Sequence, residues 1–222
     1  MCGIAGYFDT RGTAPIAERE LRAMTDALAH RGPDGHDLFR APGVGLGHRR
    51  LSIIDLEGGA QPMLALGGQV AIVFNGEIYN FADIRRDLER LGHVFHTHSD
   101  TETILNGWIE WGAAVVHRLR GMFALVIHDA RKQTLFLARD RLGVKPLHYT
   151  LTPDGALLFA SELKGLTASP RVAHNIEPTA IEDYFAYGYI PDPKCVLAGV
   201  HKLPAAHTLT IVRGKPLPKP ER

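Results

Sequence analysis

Along much of this chain, apolar and polar residues alternate or β-branched residues run together. Both patterns are typical of strands, half-buried in the first case and buried on both faces in the second. The predicted strands cover residues 4–8, 45–54, 70–74, 123–128, 134–138, 157–160 and 208–212. Most are joined by short turns or hairpin-like spacing, which favours antiparallel sheets over a doubly wound parallel sheet.

Helical spacing appears in fewer places. The predicted helices cover residues 18–28, 81–91, a stretch from 100 toward 111, and 180–187. Asn80 is a candidate N-cap and Gly92 a candidate stop for the second helix, and Ser99 with Glu102 has the form of a capping box for the third. Strands dominate, so the sequence predicts an α+β fold with two stacked antiparallel sheets and helices outside them.

Composition narrows the class of protein. The chain has 222 residues, 45% of them hydrophobic and 22% charged, which suits one globular domain with a sizeable core. A net charge of +1 gives no basic excess for nucleic acid, and no apolar run approaches the ~20 residues of a membrane span. The start of the chain lacks the pattern of a secretory signal. We therefore expect a cytoplasmic protein with neither nucleic acid nor membrane as partner.

The end of the chain changes character. Residues 215–220 read KPLPKP, a composition typical of an extended linker. The sequence thus predicts a domain over residues 1–212 and a linker over residues 213–222.

Cys2 directly follows the initiator Met1. Removal of Met1 would give one residue both a thiol nucleophile and a free α-amino group, whose pKa near ~8 makes it a useful base. On position alone, Cys2 is equally compatible with an ordinary small buried residue. The other cysteine, Cys195, could silence Cys2 only by forming a disulfide, and the sequence favours two free thiols.

Short motifs follow Cys2 along the whole chain. They are MCGI at 1–4, RGPDG at 31–35, HRRLSIID at 48–55, FNGEIYN at 74–80, GMFA at 121–124, RDRLGVKPL at 139–147, SELK at 161–164, YGYIP at 187–191 and KLP at 202–204. RGPDG alone reads as a simple turn, and Asn-Gly alone as a hairpin signal. Together and in this order, the motifs resemble the glutamine-hydrolysing domain of class II amidotransferases, which are N-terminal nucleophile hydrolases. Within that class they are most similar to the asparagine synthetase family.

This resemblance implies a four-layer αββα sandwich and a set of catalytic roles. Cys2 matches the nucleophile that attacks the side-chain amide of glutamine. The Asn75 side chain and the Gly76 backbone N–H match the donors that stabilise the oxyanion, and such a donor typically lowers the barrier by ~3–4 kcal/mol.

The resemblance also implies how the amino-acid end of glutamine is held. Arg50 matches the residue that grips the α-carboxylate, for which a guanidinium fork is suited. Glu77 and Asp100 match the acceptors for the α-ammonium, and backbone groups near Leu51 and Ile53 complete the pocket. Taken singly, Arg50 reads as a surface ion-pair residue, Glu77 as a solvated charge, and Asp100 as a carboxylate that stabilises a helix start.

Some positions depart from the family pattern, but none belongs to the proposed pocket: His148, Cys195, Ala205 and Ala206. The family's Ser-Gly-Gly-x-Asp-Ser nucleotide loop does not occur in this sequence. We therefore expect no cofactor for this chain, with ATP and Mg²⁺ acting only in a separate synthetase domain or subunit that accepts the ammonia. A homodimer is a further expectation.

Three functions remain open at this stage. The leading hypothesis is hydrolysis of L-glutamine for an asparagine synthetase-like enzyme. The others are an amidotransferase domain for another acceptor, such as a sugar acid of an exopolysaccharide, and a catalytically idle glutamine-binding module. His96 and His98 would lie on one face of a predicted strand, the spacing of a metal pair, but no third ligand is evident and the sequence predicts no metal site.

Overall fold

A computed structural model of the chain describes residues 1–53, 55 and 58–222. In chain order, the strands are β1 (Gly3–Asp9), β2 (Gly35–Ala41), β3 (Val44–Arg50), β4 (Met63–Ala65), β5 (Val70–Ile78), β6 (Gly121–Asp129), β7 (Thr134–Arg139), β8 (His148–Leu151), β9 (Ala156–Ala160), β10 (Val200–Lys202) and β11 (Thr208–Val212). The helices are α1 (Glu18–Asp26), α2 (Phe81–Arg90), α3 (Asp100–Trp111), α4 (Val115–Arg118), α5 (Leu163–Thr167) and α6 (Pro178–Tyr187).

The strands form two antiparallel sheets. One has the order β10-β8-β9-β1-β3-β2 and the other the order β11-β7-β6-β5-β4. The two sheets face each other, with α1 and α5 on the outer face of the first and α2 and α3 on the outer face of the second. This is the predicted αββα sandwich.

The side-chain alternation of β1 explains why this strand is central. Ile4 and Phe8 point into the core between the sheets, whereas Ala5 and Tyr7 point into the core beneath α1. All four are buried, because a strand covered on both faces must be apolar on both faces. Cys2, just ahead of Gly3, is therefore carried by a strand that is buried on both faces.

Strand prediction was wrong at the end of the 45–54 segment. β3 ends at Arg50 and residues 51–53 leave the sheet; Ile54 lies outside the described residues. The chain turns away because Leu51 N–H points to the Cys2 sulfur and Ser52 N–H donates to Asp34 Oδ2, at 3.4 and 2.8 Å. The sequence also did not predict four strands, which are edge strands or short: β2, β4, β8 and β10.

Helix ends agree only in part with the sequence prediction. The helix predicted over 18–28 ends at Asp26 and is followed by a short 3₁₀ turn, Ala29–Arg31. Gly92, with φ of +96°, follows the end of α2 as predicted. Asn80 occupies the N-cap position of α2 as predicted, but its side chain makes no capping bond and instead bonds Arg118 O and Arg120 N–H, at 3.0 and 2.8 Å.

The predicted capping box of α3 was wrong in its second half. Ser99 does accept a hydrogen bond from a first-turn amide, that of Thr101, at 3.2 Å. The Glu102 carboxylate instead accepts the N–H groups of His96 and Thr97, at 2.8 and 2.7 Å. Glu102 therefore fixes the loop that leads into the helix.

The tail beyond β11 lies along the domain. Leu217 packs against the core between the sheets, and Glu221 exchanges two backbone hydrogen bonds with Thr208, at 2.7 and 2.9 Å. Its role as a linker stays a prediction. Within the described part of the chain, no helix is long and apolar enough to cross a membrane.

Candidate active site

One cleft brings together every residue that the sequence singled out for a site. Its lining includes Cys2, Arg50, Leu51, Ile53, Asn75, Gly76, Glu77 and Asp100. The start of β1 and the end of β3 meet there because the two strands are antiparallel, with Gly3 opposite Arg49.

The Cys2 thiol lies against the chain that follows β3. Its sulfur accepts from Leu51 N–H at 3.4 Å and lies 3.6 Å from Leu51 O. Burial raises the pKa of the thiol above its ordinary value of 9.0, although the Leu51 N–H and the cations Arg50 and Arg31 oppose that shift. A thiol with a raised pKa is protonated at neutral pH, so a nucleophilic role requires a nearby base.

Two motifs without a predicted role in the pocket hold the first residues of β1 in place. Arg31 donates through Nε to Cys2 O at 2.8 Å and through Nη1 to the Glu162 carboxylate at 2.6 Å. Ser161 and Ile4 are joined by two hydrogen bonds, at 2.9 and 3.0 Å. The RGPDG and SELK motifs therefore clamp the backbone of the cysteine segment, a role that the reading of RGPDG as a simple turn missed.

Gln61 was also missed. Its Oε1 accepts from Phe74 N–H at 2.6 Å and its Nε2 donates to Thr101 Oγ1 at 3.2 Å. His48, on the other sheet, donates through Nε2 to Phe74 O at 3.1 Å, and burial lowers the pKa of this histidine to about 4. Neutral His48 and Gln61 thus fix both backbone groups of Phe74, the residue just before Asn75.

The backbone amide of Gly76 is directed away from β6. Its partner across the strands is Phe123, whose own N–H and C=O bond to Asp140 on the far side of β6, at 3.2 and 2.8 Å. Phe123 and Gly76 are therefore a non-hydrogen-bonded pair of the antiparallel ladder, and the Gly76 N–H does not bond to Phe123. A Cβ at position 76 would lie 2.3 Å from Met122 O, so this close approach requires glycine.

Asn75 is 1% exposed, and its Nδ2 finds no hydrogen-bond partner within the described residues. Buried amide donors are nearly always paired, so an unpaired one that lines a cleft marks a donor available to a ligand. Asn75 Nδ2 and Gly76 N–H are adjacent along β5, an arrangement able to stabilise one developing negative charge.

The other end of the cleft is charged. Asp100 accepts from Ile78 N–H at 3.0 Å. Burial raises the pKa of its carboxyl to about 6, and the charge of Glu77 acts in the same direction. Arg50, at the end of β3, donates to Asp55 O. A positive group of a ligand would be stabilised between the Glu77 and Asp100 carboxylates. A negative group would be stabilised near the Arg50 guanidinium.

Lys145, a further residue that sequence reasoning did not single out, lines the same cleft. It belongs to the RDRLGVKPL motif, but the motif gave no sign that the lysine would point toward Cys2.

The described residues do not support two alternatives that the sequence raised, a disulfide between Cys2 and Cys195 and a metal site at His96 and His98. Cys2 and Cys195 are both free thiols. His96 and His98 are exposed in an irregular segment, so the strand predicted to carry them was wrong. Over residues 1–53, 55 and 58–222, no cluster of three metal-binding side chains occurs.

Solved structures resemble this fold over its full length. The allosteric regulatory enzyme of purine biosynthesis gives a TM-score of 0.70 at 18% identity, over 100% of this chain and 49% of that chain. Glutamine phosphoribosylpyrophosphate amidotransferase from Bacillus subtilis gives 0.67 at 19% identity, with the same coverage. These similarities concern the fold alone.

Sequence comparison identifies the family of the chain. The family model for the glutamine amidotransferase domain matches residues 1–220. The chain therefore belongs to the glutamine amidotransferase domain family. It is 38% identical to asparagine synthetase [glutamine-hydrolyzing] 3 of Bacillus subtilis, over 95% of this chain and 34% of the relative. It is 39% identical to asparagine synthetase [glutamine-hydrolyzing] 1 of the same organism, over 95% of this chain and 33% of that relative. The chain thus spans about a third of the length of these curated relatives.

Proposed function

We propose that this domain hydrolyses L-glutamine to L-glutamate and ammonia, with Cys2 as the nucleophile. The observation that carries the proposal is the meeting, in one cleft, of the Cys2 thiol and the unpaired buried amide of Asn75. A thiol and a free oxyanion donor are the two groups that acyl transfer from an amide requires.

The charged end of the cleft binds the α-carboxylate and the α-ammonium of glutamine in this proposal. Arg50 binds the α-carboxylate, and Glu77 with Asp100 binds the α-ammonium, while backbone groups at Leu51 and Ile53 complete the pocket. A simple amide without these two charges would gain none of this binding energy and would be a poor substrate.

In the proposed first step, Cys2 Sγ attacks the side-chain amide carbon and the thiol proton passes to the α-amino group of the same residue. The tetrahedral intermediate places its negative oxygen against Asn75 Nδ2 and Gly76 N–H. The carbon–nitrogen bond then breaks, the amine returns the proton to the leaving nitrogen, and ammonia departs from a thioester.

In the second step, water attacks the thioester with the α-amine again as base. The carbon–sulfur bond breaks, the thiol regains its proton, and glutamate leaves. These steps need no cofactor from this chain.

The proposed base exists only after Met1 is removed. With Met1 in place, the nitrogen of Cys2 is an amide without a basic lone pair, and Met1 itself lines the cleft. An uncleaved N-terminal tag should therefore abolish activity, whereas a tag after Arg222 should not.

The ammonia acceptor lies outside this chain. The relatives are named asparagine synthetases, and we propose a synthetase domain or subunit that uses ATP and Mg²⁺ to activate a carboxylate, with aspartate as the leading candidate.

Glutamate release tests the proposal. Protein whose mass shows the loss of Met1 is incubated with L-glutamine, and glutamate and ammonia are quantified. Equal amounts of both are expected from the processed protein and none from an N-terminally extended form. Glutamine binding without glutamate release would indicate an idle binding module, and full activity of the extended form would rule out the α-amine as base.

A further inference from the structure

Lys145 is the one lysine among the described residues that line the cleft, and it is buried while Met1 is in place. The residue is 5% exposed, and its Nζ lies 3.2 Å from Met1 Sδ, a neutral thioether. Among the described residues, it forms no ion pair with a carboxylate. Removal of Met1 takes away this neutral neighbour and leaves the lysine facing the cleft that Cys2 also lines.

The loop that presents Lys145 is held rigidly. The buried carboxylate of Asp140 accepts the N–H groups of Leu142, Val144 and Lys145, at 3.0 to 3.1 Å. Arg139 donates through Nε to Lys145 O at 2.9 Å. Burial lowers the pKa of the Lys145 ammonium and Arg31 acts in the same direction, whereas Asp140 and Glu77 oppose the shift.

Other charges face Cys2 from the surrounding elements. They are Arg31 after α1, Arg50 at the end of β3, Glu77 on β5 and Asp100 at the start of α3. Arg31 is paired with Glu162. In the proposed complex, Arg50 faces the α-carboxylate of glutamine, and the two acidic residues face its α-ammonium. Lys145 is then a cation of the cleft that pairs neither with a carboxylate among the described residues nor with a charge of the substrate.

We infer that Lys145 is a positioning residue that acts through its charge: it favours the unprotonated α-amine and the thiolate of processed Cys2 at neutral pH. A fixed cation disfavours a second cation beside it and favours an anion. This inference rests on the proposed function, because it assigns Lys145 to the proton transfer of that reaction.

The test measures Cys2 alone, without glutamine. Processed wild-type protein, Lys145→Met and Lys145→Arg are alkylated with iodoacetamide from pH 5.5 to 10, and modification of the Cys2 peptide is followed by mass spectrometry. Lys132→Met is the matched control, because Lys132 is an exposed lysine packed over Trp108, outside the cleft. Lys145→Gln replaces the methionine variant if circular dichroism shows that the latter does not fold.

The alkylation midpoint of Lys145→Met should rise by roughly one pH unit, so that its rate near pH 7 falls about tenfold. Lys145→Arg and Lys132→Met should keep the wild-type midpoint. The acid limb of kcat/KM for glutamine should move by the same amount as the alkylation midpoint.

Three outcomes would overturn the inference: an unchanged midpoint in Lys145→Met, an equal shift in Lys145→Arg, or an equal shift in Lys132→Met. Failure of the proposed function looks different. In that case, wild-type Cys2 alkylates with the expected dependence on pH and on Lys145, yet no glutamate is released.

Discussion

At the end of the cleft around Cys2 and Asn75, supporting side chains fix the backbone that carries the reactive groups, whereas the end around Arg50 and Asp100 presents charged side chains directly. At the first end, Arg31 holds Cys2 O, and Gln61 holds the strand just before Asn75. At the second end, the charges come from three separate elements, β3, β5 and α3.

The two ends therefore suit two different roles, stabilisation of the transition state at the first end and binding of the substrate at the second. Groups that stabilise charge appearing only during reaction must be held in place in advance, and their loss lowers kcat. Groups that bind permanent charges of the substrate act equally in the ground and transition states, and their loss raises KM. Mutations at the two ends should therefore separate the two kinetic constants.

The largest effect is expected from Cys2→Ala. This variant should release no detectable glutamate, because alanine keeps a small side chain but has no nucleophile. Thermal unfolding should show an intact fold. Cys195→Ala, which changes the other thiol in the core beneath α1, should stay within a few-fold of the wild-type rate; equal loss in both variants would contradict the assignment of the nucleophile.

Asn75→Ala should come next, with kcat lowered roughly 10²- to 10³-fold and KM little changed, because one oxyanion donor is removed. Steady-state kinetics with glutamine give both constants. Asn106→Ala is the control, since it removes another poorly exposed asparagine that lies on α3 and outside the cleft lining. A purely KM effect at Asn75 would move this residue to the recognition end.

Arg50→Ala should raise KM by roughly tenfold to a hundredfold with a smaller change in kcat, because hydrogen bonds to a charged partner are typically worth about 1.5–3 kcal/mol. The neighbouring Arg49 is the matched control. Its side chain points to the other face and pairs with Asp26, so Arg49→Ala should leave KM nearly unchanged. An Arg50 variant with the wild-type KM would remove the carboxylate clamp from the proposal.

Much of the cleft could be predicted from the sequence because its residues occupy fixed places in short motifs. Cys2 was indicated by position, and Asn75 to Glu77 by a motif directly after an apolar strand. Strand alternation likewise predicted β1 and β5. All of these signals are local, and local patterns survive folding when the element carrying them is strongly apolar.

The residues that support the cleft could not be predicted in this way. Arg31 reaches a carboxylate 131 positions away, and His48 crosses from one sheet to the other. Such contacts depend on how the sheets stack, which periodicity does not encode. The Glu102 half of the capping box was wrong for a related reason: backbone donors before the helix, at His96 and Thr97, bind Glu102.

The smallest expected effect concerns pH and the Asp100 carboxyl, whose folded-state pKa of about 6 lies above its ordinary value of 3.8. Ionisation is therefore disfavoured by folding, and Asp100 makes the free domain less stable as pH rises from about 4 to about 6. In the proposed complex, bound glutamine reverses the balance, since its α-ammonium would stabilise the carboxylate. Below pH 6, binding must first release a proton from Asp100.

Calorimetry on the inactive Cys2→Ala protein should show affinity about tenfold weaker at pH 5 than at pH 7, with close to one proton released at the lower pH. Asp100→Asn should bind glutamine more weakly at pH 7 and lose most of this pH dependence. If the variant keeps the wild-type pH dependence, the titrating group at the recognition end is not Asp100.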